Sequence, residues 1–229
     1  METIRIDDRT WSIEDGFVRC FLIAGNEKAL LVDSGVSGDG ARAAAESLTK
    51  LPIELINTHA DRDHIAGNSR FPYALMNPAE AANYYNIGKG TGVIRPVEDG
   101  ETIDLGGRKL KIILIPGHTP GSIALMDEES GMLFPGDTVQ DGNIYMFGPM
   151  REMHAYILSL MKLEALGNSV RLIYPSHGNM PLERSFIGKL RIKAEECLDG
   201  KLSREEITLP DGRTVTRRDA GIAGFLVQP

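Results

Sequence analysis

The sequence predicts a layered α/β fold, with β-sheets inside and helices outside. Two observations lead to this prediction: short apolar runs typical of strands alternate with segments of helical periodicity, and polar loops rich in histidine and aspartate follow several of the runs. The chain has 229 residues, of which 42% are hydrophobic and 25% charged, and it is long enough to bury a large core. One domain is therefore expected over residues 1–229.

The first third of the chain is typical of an antiparallel meander that leads into a helix and a buried strand. Its β-like runs are separated by turn residues, for example in the segment Gly25-Asn26-Glu27-Lys28. Residues 39–48, rich in alanine and arginine, predict a helix, and residues 52–57 predict a buried strand. The predicted strands of the meander are 4–6, 11–13, 17–24 and 29–32.

The second half repeats this order of strands and helices. Helical periodicity covers residues 152–166 and recurs in residues 182–198. The tail from 206 to 227 predicts a closing hairpin that turns at Pro210-Asp211-Gly212. The predicted strands of this half are 103–105, 110–115, 122–126, 132–134 and 171–174.

Composition and charge restrict the class of protein. The formal net charge of −7 and the pI of about 5.3 argue against a surface that binds nucleic acid through its phosphates. Cys20 and Cys197 are far apart in sequence and are expected to be reduced core residues. The N-terminus lacks the apolar segment of a signal peptide, and no apolar run approaches the roughly 18 residues of a membrane span. We expect a soluble, cytoplasmic protein with a small-molecule substrate and without nucleic-acid or membrane partners; a homo-oligomer is left open.

Four potential metal ligands fall within six consecutive residues, directly behind the predicted buried strand: His59, Asp61, Asp63 and His64. Imidazole and carboxylate suit a hard or borderline divalent ion, whereas the near absence of cysteine argues against a thiolate zinc site or an iron–sulfur cluster. The alternate residues His59, Asp61 and Asp63 can point to one side of the local backbone, with His64 turned toward a neighbouring position. Two adjacent ions would fit this pattern.

Three further motifs each follow an apolar run. They are Gly117-His118-Thr119-Pro120-Gly121, Gly136-Asp137-Thr138 and Pro175-Ser176-His177-Gly178. Taken singly, each motif has a plainer explanation: the first two are ordinary turn chemistry, His177 is a loop histidine, and the loop at 59–64 is a polar segment that caps a helix. Without a metal site, all of these separate explanations would have to be true at once. A single metal site shared by the four segments explains them better.

Over residues 17–177 the chain resembles the metallo-β-lactamase-fold superfamily of metal-dependent hydrolases. Within it, the chain resembles the branch of glyoxalase II and the lactonases. The resemblance implies a four-layer αβ/βα sandwich, with two mixed β-sheets inside, helices outside and a dinuclear site at one edge. It also implies a supporting role for Asp33, in the motif Leu31-Val32-Asp33-Ser34-Gly35, without direct metal contact. The implied ligands are His59, Asp61 and His118 for the first ion, Asp63, His64 and His177 for the second, and Asp137 as the bridge.

Asp61 departs from the family pattern, which has histidine at this position. A carboxylate adds negative charge and hardness to the first site, which favours manganese or iron relative to zinc, although zinc also accepts aspartate. The oxygen-reducing di-iron flavoproteins carry a carboxylate there too, but the residues after His177 show no phosphate-loop pattern for their flavodoxin domain. The expected cofactors are two divalent ions, zinc first, with manganese or iron as the alternatives that Asp61 allows.

These implied ligands predict a metal-dependent hydrolase of a small ester, thioester or lactone. A water molecule held between two ions becomes hydroxide near neutral pH and attacks a carbonyl or phosphoryl centre. Asp63 is the predicted catalytic residue, which would orient that water or accept its proton. The main alternative is an iron-dependent redox protein on the same fold, either an oxygenase or an oxygen reductase. A β-lactamase, a phosphodiesterase and a non-catalytic binding module are less favoured.

Substrate choice is expected to come from two loops, 77–94 and 140–150, which are also candidates for a lid. Ordinary packing is the competing explanation for their aromatic residues, because such side chains usually lie in cores or interfaces. Packing also explains the methionines of the second loop, which would then fill an apolar wall. The candidate pocket residues are Tyr84, Tyr85, Tyr145, Met146 and Phe147.

Overall fold

The computed structural model describes residues 1–229, which form 17 strands and four α-helices. Seven strands form the first sheet, in the order in which they occur along the chain. The sheet is mixed, since its first four strands are antiparallel and its last four are parallel. Its strands are β1 (Glu2–Asp7), β2 (Thr10–Asp15), β3 (Val18–Ala24), β4 (Ala29–Val32), β5 (Ile53–Ile56), β6 (Ala74–Met76) and β7 (Ile94–Pro96).

The other ten strands form two further sheets. They are β8 (Thr102–Asp104), β9 (Lys109–Leu114), β10 (Ile123–Asp127), β11 (Met132–Phe134), β12 (Asn143–Tyr145), β13 (Leu172–Ile173), β14 (Leu182–Glu183), β15 (Ser203–Thr208), β16 (Thr214–Asp219) and β17 (Gly224–Val227). The second sheet has the order β14-β13-β11-β10-β9-β8 and is also mixed, and the third has the order β12-β17-β16-β15. The helices are α1 (Gly40–Leu48), α2 (Arg62–Ile65), α3 (Met153–Glu164) and α4 (Ser185–Leu198).

Strand β3 shows how the first sheet buries both faces. Its side chains alternate, as the two-residue period of a strand requires. Phe21 and Ile23 point toward the second sheet and join the core between the two large sheets. Leu22 points the other way and packs with Ala41 and Ala45, which lie one helical turn apart on α1. Helix α1 therefore covers the outer face of the first sheet.

Strand β10 plays the same part in the second sheet. Ile123 and Leu125 belong to the core between the sheets, whereas Ala124 and Met126 pack against α3 and α4 on the outside. The resulting order of layers is helix, sheet, sheet, helix. This confirms the predicted four-layer α/β sandwich with two mixed sheets inside and helices outside. No helix combines the length and the apolar character that a membrane crossing requires.

The third sheet was not expected from the sequence. The predicted closing hairpin is present as β15 and β16, but β17 follows it and pairs in parallel with β12 from the loop after residue 140. Phe225 on β17 enters the large core beside α3 and α4, while Leu226 packs with Leu209 and Val215 in a small separate cluster. The two inner sheets are as predicted, and the third sheet is an addition to them.

The predicted ligand loops all leave strands at one edge of the sandwich. Strands β4 and β5 run parallel in the first sheet, and the loops after them carry Asp33 and the segment 57–64. In the second sheet β9 and β11 are each antiparallel to β10, and β13 is parallel to β11, so these three strands point the same way. The loops after them carry His118, Asp137 and His177. The carboxyl ends of strands are a frequent place for ligand sites in α/β sheets.

Candidate metal centre

The seven predicted ligands lie together at this edge, in two groups. In the first group, Asp61 Oδ2 is 3.6 Å from His59 Nε2 and 3.4 Å from His118 Nε2. Both histidines are almost completely buried, and the Asp61 side chain is one quarter exposed. The ligand atoms of this group lie within 4.8 Å of one another.

The second group consists of Asp63, His64 and His177. Asp63 Oδ2 is 3.6 Å from His64 Nε2 and 3.3 Å from His177 Nε2. Helix α2, a single turn, holds Asp63 and His64 next to each other, and His177 reaches them from the loop after β13. His64 is fully buried, while Asp63 and His177 lie at the partly exposed side of the site.

Asp137 lies between the two groups and offers one oxygen to each. Its Oδ1 is 3.3 Å from both His64 Nε2 and His177 Nε2. Its Oδ2 is 3.6 Å from His118 Nε2. This is the arrangement that a bridging carboxylate requires.

Divalent ions fit this donor set. The Nε2 atoms of His59, His64 and His118 and the Oδ1 atom of Asp137 are buried and have no hydrogen-bond partner. Such groups are costly without a partner, and natural proteins satisfy nearly all of them. Ligand atoms about 2.1 Å from a tetrahedral zinc ion are about 3.4 Å apart. The distances from the carboxylate oxygens to the imidazole nitrogens in the two groups, 3.3 to 3.6 Å, match that spacing.

The other ring nitrogen of each histidine faces an oxygen. His118 Nδ1 is 3.1 Å from the carbonyl oxygen of Tyr145, and His177 Nδ1 is 2.8 Å from that of Phe17. A carbonyl oxygen can only accept, so each Nδ1 carries a hydrogen, and Nε2 is the nitrogen that faces the site and offers its lone pair to an ion when it is unprotonated. These backbone contacts orient the imidazoles for metal binding.

Asp33 orients His64 in the same way, and through Thr58 it also orients His59. Its Oδ2 accepts from His64 Nδ1 and from the Thr58 hydroxyl, both at 2.8 Å, and its Oδ1 accepts from the Thr58 backbone N–H at 2.8 Å. The Thr58 hydroxyl, having donated its hydrogen to Asp33, can accept from His59 Nδ1 at 3.0 Å. Asp33 is fully buried and contacts no other group of the site directly, in keeping with a supporting role.

Glu80 was not expected from the sequence. Its buried carboxylate accepts from Ala60 N at 2.8 Å and from Gly121 N at 2.7 Å. It thereby joins the loop that carries the first four ligands to the loop that carries His118. The sequence around Glu80 signals only a short helical turn, which Asn77 caps by accepting from Ala79 N. Nothing local indicates a contact across 41 residues of chain.

Arg151 is a second residue that the sequence did not single out. Its guanidinium contacts Asp61 Oδ2, and Asn83 Nδ2 donates to Asp61 Oδ1 at 3.2 Å. Burial alone would raise the pKa of Asp61, but the nearby imidazoles of His118 and His59 and the positive charge of Arg151 hold this pKa well below its usual range. Asp61 is therefore a carboxylate at neutral pH.

The predicted pocket residues divide into two kinds. Tyr84 and Met146 are packing residues, which corrects the prediction for them: Tyr84 is fully buried in the cluster beneath the metal loop, and Met146 is buried in the core beside α3. Tyr145 is 38% exposed and its ring lies 5.5 Å from that of Phe147. Tyr85 is exposed and donates through its hydroxyl to Gly92 O at 3.3 Å. Of the five, Tyr145 is the one joined to a candidate ligand, through its carbonyl.

Electrostatics differ between the two groups. Burial by itself lowers the pKa of His177, but the carboxylates of Asp137 and Asp63, each 3.3 Å from its Nε2, outweigh burial and raise this pKa to about 10. The pKa of His64 is likewise raised well above its usual value, against burial, by the charges of Asp137, Asp63 and Asp33. Burial and the charge of Arg151 lower the pKa of His118. The histidines of the second group are thus cationic without metal, and His118 is neutral.

Metal binding to the second group should therefore release protons. Ligating imidazoles must be neutral, so an ion that binds His64 and His177 near pH 7.5 displaces about two protons, and its affinity rises with pH. Calorimetric titration of the metal-free protein with Zn²⁺, in buffers of different ionisation enthalpy, measures this release. Binding without proton release would contradict the raised pKa values.

Comparison with known proteins agrees with this geometry. Residues 13–177 match the family model described as the metallo-beta-lactamase superfamily. The acyl-coenzyme A thioesterase MBLAC2 of Gallus gallus is 28% identical over 199 residues, which cover 70% of this chain and 72% of the relative. The solved structure of a metallo-beta-lactamase from Pontibacter korlensis has a TM-score of 0.71 at 19% identity and covers 85% of this chain and 98% of that chain.

A hydroxyacylglutathione hydrolase of Synechococcus sp. (strain JA-2-3B'a(2-13)) is also similar. It is 33% identical over 138 residues, which cover 57% of this chain and 52% of the relative. The chain thus spans about half the length of this curated relative.

Proposed function

Because this chain belongs to the metallo-beta-lactamase superfamily, we propose that it is a metal-dependent hydrolase with two metal ions, acting on a small ester, thioester or lactone. One observation carries the proposal. Asp137 directs its two oxygens to two separate groups of histidine and aspartate, in which three imidazole nitrogens are buried without partners. A site for one ion would leave the other group unexplained.

The residues that would hold the ions follow from the distances. The first ion would be held by His59, Asp61 and His118, the second by Asp63, His64 and His177, and Asp137 would be shared. When bound, two such ions polarise a carbonyl oxygen and lower the pKa of a water molecule at the site. We expect zinc first, with manganese or iron as the alternatives because of the carboxylate of Asp61.

Asp63 is the side chain best placed to move the proton. It is 23% exposed, so its carboxylate reaches the open side of the site. Burial by itself would raise the pKa of Asp63, but the charge of His64 and the contact with His177 hold this pKa below its usual value. Asp63 would orient the attacking water and accept its proton, while the ring nitrogens of the four histidines stay committed to the ions and to their backbone or side-chain oxygens.

The surroundings favour a substrate with an apolar portion. Phe17 is 69% exposed and its ring stacks on that of His177 with the centroids 6.1 Å apart. Tyr145 is exposed beside His118. Apolar surface therefore borders both groups, which suits an acyl chain or a lactone ring. The thioesterase relatives support the same substrate class. The glutathione portion of the other relatives' substrate is not carried over, since only about half of their length is shared.

Reconstitution of the metal-free protein tests the proposal. The protein is loaded with Zn²⁺, Mn²⁺ or Fe²⁺, the ions per chain are counted, and short-chain thioesters, aryl esters and γ-lactones are assayed with and without chelator. Two ions per chain and chelator-sensitive turnover of at least one class are expected. Two bound ions without turnover in any class would overturn the proposed hydrolysis. Oxygen consumption by the iron form would then support the redox alternative.

A further inference from the structure

Asp61 is held by two polar side chains from outside the predicted ligand set. The guanidinium of Arg151 contacts its Oδ2, the same oxygen that lies 3.6 Å from His59 Nε2 and 3.4 Å from His118 Nε2. Asn83 Nδ2 donates to Oδ1 at 3.2 Å. The Arg151 side chain is 11% exposed, and its Nε is buried without a partner. A buried cation thus sits against the oxygen that would bind the first ion.

The charges of this pair cancel. A buried carboxylate is costly unless it is paired, and so is a buried guanidinium. Together Asp61 and Arg151 add no net charge to the first group, as a neutral imidazole would add none. No arginine or lysine contacts the second group, whose positive charge without metal lies on its own histidines: Arg19, beneath the loop of His177, is paired with Glu14 and with backbone carbonyls. The two groups therefore present different fields to a dication.

We propose that Arg151 is the charge partner of Asp61, and that by offsetting this carboxylate it lowers the affinity of the first group for a divalent ion. The inference rests on the proposed function, because it needs two ions. An ion that binds the first group has to compete with the guanidinium for Asp61 Oδ2. The binding step that fills the first group is identified as the one that Asp61→His alters.

Four variants separate charge from geometry at this pair. Arg151→Met removes the charge and leaves Asp61 unopposed, so binding to the first group should tighten by about ten- to a hundredfold, the size of effect usual for groups around metal ligands. Arg151→Lys keeps the charge and should stay near the wild-type affinity. Asp61→His leaves an unpaired cation and should weaken the step, and the double variant D61H/R151M should recover it. Binding to the second group should change little in Arg151→Met and Arg151→Lys.

Arg62 provides a matched control. It lies next to Asp61 in the chain, but it is exposed and donates through Nε to Ile87 O at 3.3 Å instead of contacting a ligand. Arg62→Met removes a positive charge from the same loop and should leave both binding steps unchanged. An effect equal to that of Arg151→Met would mean that only the general charge of the loop matters, which would overturn the specific pairing.

Titration of the metal-free proteins is the deciding experiment. Free Mn²⁺ is followed by its electron paramagnetic resonance signal, and Zn²⁺ by competition with a chromophoric chelator, with circular dichroism as the check that each variant is folded. Two ions bound by the wild type and a tightened first-group step in Arg151→Met are expected. Two ions bound, with that step unchanged or weakened in Arg151→Met, would overturn this inference alone. A wild-type protein that binds no ion would overturn the proposed function and this inference with it.

Discussion

Replacement of Asp63 by alanine is expected to lower kcat/KM for hydrolysis by at least about a thousandfold, because a positioned proton acceptor alone is worth about 10²- to 10⁴-fold. Asp63 Oδ2 lies 3.3 Å from His177 Nε2, so the substitution also removes one oxygen from the second metal group. The side chain is partly exposed and accepts no hydrogen bond that holds the fold together. Folding should therefore be preserved while activity is lost.

Two measurements separate the roles of Asp63. Ions are counted in Asp63→Ala and in Asp63→Asn, and activity is measured with excess metal on the substrate class that the wild type hydrolyses. If two ions are bound and activity is still absent, the residue moves the proton; if excess metal restores activity, it serves mainly as a ligand. Asp39→Ala is the control, since Asp39 is an exposed partner of Arg70 before α1. Wild-type turnover in Asp63→Ala would refute both roles.

Much of the fold could be predicted because its information is local. Strands such as β3 and β10 alternate residues for two different cores, and helix α1 places alanines one turn apart. Each predicted ligand follows an apolar strand within a few residues, and the carboxyl ends of those strands meet at one edge. Short-range pattern and this rule of topology are enough to bring the ligands together.

The features that sequence reasoning missed depend on contacts between distant segments. Strands β6, β7 and β12 have three residues each, too few for a period to be visible, and β12 pairs with β17 at the other end of the chain. Glu80 and Arg151 reach the site across 41 and 90 residues of chain. Tyr84 belongs to a loop with pocket-like composition, but its ring fills the space beneath Ala60 and Ile65. Composition of a loop does not fix which of its side chains turn inward.

The carboxylate at Asp61 shows how a local departure can be understood only from the three-dimensional structure. From the sequence alone, Asp61 adds a negative charge to the first group, which predicts a shift in metal preference from zinc toward manganese or iron. The structure adds Arg151, whose charge opposes it at the same oxygen. The chemistry of the site therefore depends on the pair, and metal preference and affinity at the first group have to be measured with both residues varied.

Asp33→Asn is expected to lower the affinity of the second group for Zn²⁺ by about ten- to a hundredfold, although Asp33 touches no ion in the proposed site. The carboxylate can only accept, and it accepts from His64 Nδ1 and from the Thr58 hydroxyl at 2.8 Å. An amide nitrogen at the Oδ2 position donates instead, so neutral His64 has to accept through Nδ1 and carry its hydrogen on Nε2. That is the atom directed at Asp63 and Asp137, and with a hydrogen on it the ring cannot bind an ion.

The same substitution should reach the first group through Thr58. With an amide donating to it, the Thr58 hydroxyl turns its hydrogen toward His59 Nδ1, 3.0 Å away, and that ring too is driven to the wrong tautomer. The backbone should tolerate the change, because Asp33 has φ of 63° and asparagine adopts this left-handed conformation readily. The variant should therefore lose metal affinity while it remains folded. Chelator competition measures the affinity, and thermal unfolding of the metal-free form measures the stability.

Asp15→Asn is the matched control for this effect. Asp15 is also buried at the same edge and accepts from the backbone N–H groups of Val36 and Ser37 at 2.8 and 2.9 Å, but it contacts no histidine. Asp15→Asn therefore places a buried NH₂ group at the same edge as Asp33→Asn does and should carry the same general cost in stability. It should leave the metal affinity unchanged. Equal losses in the two variants would assign the effect to loop disorder. A selective loss in Asp33→Asn would mean that the tautomers of His64 and His59 set the affinity, since only that carboxylate faces their hydrogens.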